Sequence, residues 1–175
     1  MRAMTNLLTP IAAILIFAGC AQAPPTAPVD NSAAAEQGIR EAVDASLKVM
    51  QTKDVDKFVD GFYSDDASVF MPGAPALTGR DSIRVAMKGA FSDPNLTMTL
   101  VTTKVVASKS GEMGYAEGTV VQTTTNPKTK KVTEEHDKWV TVFRKQADGS
   151  WKAVSDIFNA SPAPAPAPMM MMKKQ

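Results

Sequence analysis

Apolar positions between residues 36 and 160 fall into two regimes. From Glu36 to Met50 they come at Ile39, Val43, Leu47 and Met50, steps of four, four and three that lay one stripe along a helix. Asp54 then precedes Val55, Phe58 and Val59, a capping acid ahead of a short second helix. Phe62 to Met71 reads as a short strand, interrupted by Ser64-Asp65-Asp66 and stopped by Pro72-Gly73-Ala74-Pro75. A third helix opens at Gly79-Arg80-Asp81-Ser82 and repeats Ile83, Met87 and Phe91 every fourth residue before Asp93-Pro94-Asn95 ends it.

From Leu96 the period drops to two and β-branched residues dominate. Strands are predicted over 96–108, 113–125, 131–145 and 151–159, separated by polar, Gly-bearing or Pro-bearing turns. Helices followed by an antiparallel meander make an α+β domain over 36–160, with three N-terminal helices packed in a curved antiparallel sheet. Strands this long must curl over the helices to bury their apolar face, which leaves a cone with an internal cavity.

Both ends of the chain differ from this middle. Arg2 is followed by an apolar run from Leu7 to Phe17 and then Ala18-Gly19-Cys20, the layout of a secretory signal over 1–19. The run is too short to span a bilayer as a helix, which takes about 20 apolar residues. Phe17-Ala18-Gly19-Cys20 resembles the bacterial lipobox, with Phe17 where Leu is usual. The resemblance implies that Cys20 carries the lipid and anchors the chain to a membrane. Multiple acyl chains, at about 0.8 kcal/mol per buried methylene, hold far better than one. Ala21 rather than Asp follows, which in Gram-negative bacteria resembles the pattern sorted to the periplasmic face of the outer membrane. Cys20 is the only cysteine, so no internal disulfide is expected. Residues 20–35 are rich in Ala and Pro and read as a flexible spacer. Residues 161–175, with alternating Pro and Ala and then Met169 to Met172, read as a disordered tail. Four consecutive thioethers suit a soft metal, but no His or Cys stands near them.

Removing Arg2 with the signal balances the remaining basic residues against the 18 acidic ones. No basic face argues for nucleic acid. There is no Gly-x-Ser-x-Gly and no phosphate-binding glycine loop, so neither a nucleophile motif nor a nucleotide cofactor is indicated. His136 is the only histidine, and with Glu135 and Asp137 it lacks paired metal-ligand spacing.

Three stretches in order, Tyr63-Ser64-Asp65-Asp66-Ala67, Leu77-Thr78-Gly79-Arg80-Asp81-Ser82-Ile83 and Trp139-Val140-Thr141-Val142-Phe143-Arg144-Lys145, resemble the nuclear transport factor 2-like superfamily. The closest flavour is similar to its SnoaL-like and calcium/calmodulin-dependent kinase association-domain members. The fold hosts enzymes, binders and assembly modules, so it does not decide function. Ketosteroid isomerase, a catalyst of this fold, uses an Asp base with a Tyr and a protonated Asp at the oxyanion. Carried onto this chain, the resemblance puts Met71 at the base, Leu47 at the Tyr and Thr141 near the second Asp. None of these does that chemistry, which argues against such an isomerase.

The same resemblance turns Asp137, Trp139, Thr141 and Phe143 inward, and His136, Val140 and Val142 outward. Met71, Tyr115, Trp139, Thr141, Phe143 and Asp156 are then the expected wall of a pocket, in a domain that binds a small apolar ligand or a protein partner without catalysis. Asp137 and Asp156 are the candidate acid–base groups should the protein be an enzyme. Superfamily members commonly dimerise through the outer sheet face, where Val140 and Val142 would sit.

Overall fold

The computed structural model describes residues 29–126 and 128–161. The expected signal, Cys20, most of the spacer and the tail from 162 lie outside the described residues.

Helix α1 (Ser32–Gln51) buries Ala35, Ile39 and Val43 along one face. It begins inside the stretch expected as spacer, because Asp30 Oδ1 accepts from Ser32 N at 3.0 Å and Ser32 Oγ at 2.6 Å. Ala33-Ala34-Ala35 then continues it with the best helix former. Asn31 N donates to Lys109 O at 2.9 Å, so the chain enters the domain beside a turn between two later strands. Helix α2 (Val55–Phe62) is capped as expected, Asp54 Oδ1 accepting from Lys57 N, and buries Phe58, Val59 and Phe62. Helix α3 (Arg80–Phe91) buries Ile83 and Phe91.

Six strands follow the order β2-β1-β6-β5-β4-β3 in one sheet. They are β1 (Tyr63–Phe70), β2 (Leu77–Thr78), β3 (Thr97–Ala107), β4 (Met113–Thr125), β5 (Val132–Lys145) and β6 (Trp151–Ala160). The meander β3 to β6 is antiparallel, but β1 runs parallel to β6, so the sheet is mixed rather than wholly antiparallel. The two-residue β2, paired to β1, was not expected either.

Three irregularities curve the sheet. Tyr63 pairs with Ala153 while Ser68 pairs with Ser155, so the polar Ser64-Asp65-Asp66 segment is extra length on β1. The β3–β4 register shifts between Thr102 and Lys104, and the β5–β6 register between Val142 and Phe143. Gly118 faces the β3 shift with no side chain to obstruct it; a Cβ there would collide with the Val101 carbonyl.

Helices fill one end of the concave face. Phe62 stacks on Phe58 at 5.7 Å and meets Tyr63 at 5.0 Å and Phe143 at 5.7 Å, both edge-on. Nearer the other end they stand off and leave a hollow.

Candidate ligand cavity

The hollow has a volume of about 670 Å³. Its walls are largely apolar: Leu47 and Met50 from α1, Met87 and Phe91 from α3, Met98 and Leu100 from β3. Carboxylates meet it in two places, at the floor and at the mouth.

At the floor lies Asp156, 2 % exposed. Register places it directly opposite Thr141 on β5. Thr141 Oγ1 donates to Asp156 Oδ1 at 2.6 Å, and Tyr63 Oη donates to Oδ2 at 2.8 Å. Burial pushes the Asp156 carboxyl up to about 6, and the two hydrogen bonds only partly hold it down. The Tyr63 hydroxyl is driven well above the usual phenol value, first by burial and then by the Asp156 charge. Near neutrality this group pairs a fixed neutral donor with a carboxyl that can take or release a proton.

At the mouth, Gln122 Nε2 donates to Asp137 Oδ2 at 3.0 Å and to Glu135 Oε2 at 3.2 Å. Burial and the neighbouring Glu135 charge raise the Asp137 pKa. His136 points outward with 46 % of its side chain exposed, and its Nε2 lies 3.0 Å from Glu134 Oε1. Ser161 N donates to His136 O at 2.8 Å, so the last described residue sits at this opening.

Of the residues singled out from sequence, Met71, Trp139, Thr141, Asp137 and Asp156 all line the cavity, as does Leu47. Tyr115 does not. It lies on the outer face opposite Val142, with Lys104 Nζ 5.5 Å from its ring centre. The inward positions of β4 are instead held by small residues such as Gly114, where a Cβ would strike Ile39 of α1. Phe143 faces inward but is fully buried in the aromatic core against Phe62 rather than at the cavity. Tyr63, Gln122 and Glu135 were missed. Among the described residues no three His, Cys, Asp or Glu side chains converge as a metal site.

A second hollow of about 480 Å³ lies beneath α1, α2 and Trp151. Its charged residues Glu41, Lys57 and Lys145 are exposed, and it has no buried acid.

A mixed sheet curved over three helices is the fold of the nuclear transport factor 2-like proteins. A ketosteroid isomerase-like protein from Erwinia carotovora atroseptica shares it at 25 % identity and a TM-score of 0.64, over 73 % of this chain and 97 % of that one. An NTF2-like protein with a cystatin-like fold from Novosphingobium aromaticivorans matches at 16 % identity and a TM-score of 0.61, over 76 % and 86 %. An NTF2-like superfamily protein from Salmonella enterica matches at 16 % identity and a TM-score of 0.60, over 78 % and 97 %. Within this class the chain belongs to the SnoaL-like domain family, whose model matches residues 39–158. A search of curated proteins gives no match.

Proposed function

We propose that this protein is an envelope lipoprotein whose SnoaL-like domain holds a small, largely apolar molecule without transforming it. The observation that carries the reading is the cavity of about 670 Å³, walled mainly by aliphatic, Met and aromatic side chains with carboxylates at two places. That size lies within the roughly 300–1,000 Å³ of small-molecule sites. Native mass spectrometry of protein purified from its own host tests it. A mass adduct lost on denaturation is the expected result. Protein that emerges empty and binds no apolar probe overturns the reading.

A second reading, acid–base catalysis, is favoured by Asp156, with its pKa near 6 and its Tyr63 donor. The Erwinia relative described as ketosteroid isomerase-like supports it. Against that particular isomerisation stand Leu47, Met71 and Thr141, all on the cavity wall. Leu and Met side chains move no proton. The ligand recovered from the host separates the readings: it is returned unchanged under the first, and is converted by wild type but not by Asp156→Asn under the second.

Anchoring through Cys20 belongs to the first reading. Labelled palmitate is expected to enter the wild type and not Cys20→Ala, with the variant moving to the soluble fraction. A homodimer through the outer sheet face completes the proposal.

A further inference from the structure

The charges around the cavity narrow the ligand's chemistry. Three carboxylates line it: Asp156 at the floor, and Asp137 and Glu135 toward the mouth. Among the described residues no Lys or Arg lines it, and His136 at its rim points outward and contacts Glu134. Asp137 is only 6 % exposed, yet its side-chain partner is a neutral amide, shared with the Glu135 carboxylate. Among the described residues, no ion pair includes Asp137, Glu135 or Asp156. A buried carboxylate is costly without a counter-charge, and two carboxylates on one amide repel each other. A cation seated between them relieves both costs.

We propose that Asp137 and Glu135, bridged by Gln122, form an ammonium subsite, so that the cavity selects an amine with an apolar body and rejects carboxylates and phosphates. This rests on the cavity being a ligand site, as proposed above. The dimensions agree with it. Thr141, which marks the floor, is four residues beyond Asp137 on β5, about 13 Å along an extended strand. An ammonium group at the mouth therefore leaves an apolar length of that order between Trp139 on the sheet and Leu47 and Met50 on α1. The floor is the poorer place for the cation, because each Asp156 oxygen already accepts a short hydrogen bond.

Calorimetric titration of the full chain with 4-phenylbutylamine, 4-phenylbutanol and 4-phenylbutyrate tests the subsite, since the three differ only in head group. The amine is expected to bind at least about tenfold tighter than the alcohol, and the carboxylate more weakly than either. Asp137→Asn and Glu135→Gln are each expected to cut the amine's advantage over the alcohol to about threefold or less. Glu135 is exposed, so its variant keeps the test valid should Asp137→Asn fold poorly. If the carboxylate matches the amine, or the advantage survives in both variants, the ammonium subsite is wrong and the apolar cavity stands. If none of the three compounds binds, the ligand-site reading falls with it.

Discussion

Folded Asp156 takes up its proton near pH 6, whereas its ordinary value is 3.8. Between those values the folded chain binds more protons than the unfolded one. The stability contributed by protonated Asp156 is thus fully present below about pH 4 and lost as pH rises through 6. Two pKa units correspond to about 3 kcal/mol as an upper scale. Asp156→Asn lacks that proton, so urea unfolding should show wild type losing about 1–3 kcal/mol relative to the variant between about pH 4 and pH 7.5. A difference that stays constant with pH would exclude Asp156 as the titrating group. Tyr63→Phe leaves Asp156 Oδ2 without its donor. It should cost about 1–3 kcal/mol above pH 6 and move the Asp156 titration higher still, measurable by carboxyl NMR. Strand alternation put Asp137 and Thr141 on one face, and the family resemblance turned that face inward and placed Asp156 in the cavity. Alternation was not enough for Tyr63, because the register jump after that residue breaks the parity on which alternation depends. Tyr115 was misplaced for a different reason: it was grouped with the aromatic and Met side chains of an apolar pocket wall, while close packing of Ile39 onto Gly114 requires the inward β4 face to be small.

Secondary structure was legible wherever one period ran uninterrupted. The boundaries of β4 and β5 match the alternating runs to within a residue. Pairing across the sheet was not legible for β1, since its short polar-broken pattern carries no sign of a parallel partner. The glycines give contrasting tests of element geometry. Gly118→Ala forces a methyl into the Val101 carbonyl at the β3 irregularity, and should lower stability by about 1–3 kcal/mol in chemical denaturation. Gly89→Ala, exposed near the end of α3 with nothing within 4 Å of its added Cβ, should instead raise stability by roughly 0.5–1 kcal/mol. Equal effects at the two positions would mean that curvature at Gly118 is not held by that close approach.

For the molecule as a whole, the outer sheet face carries Phe70, Ile157 and Val140 in adjacent register across β1, β6 and β5. Each is at least 38 % exposed. If this row seats a second copy of the chain, Val140→Lys should convert dimers to monomers in light scattering, and a dimer that persists moves the interface elsewhere. The domain also has two poles. Asn31 is fixed beside the β3–β4 turn, whereas Ser161 is fixed to His136 at the cavity mouth, at the far end of the same strands. If Cys20 carries the proposed anchor, the tether would join the domain at its closed pole and leave the opening facing the surrounding fluid. Cargo would then be exchanged with partners diffusing past, not drawn directly out of the bilayer that carries the protein.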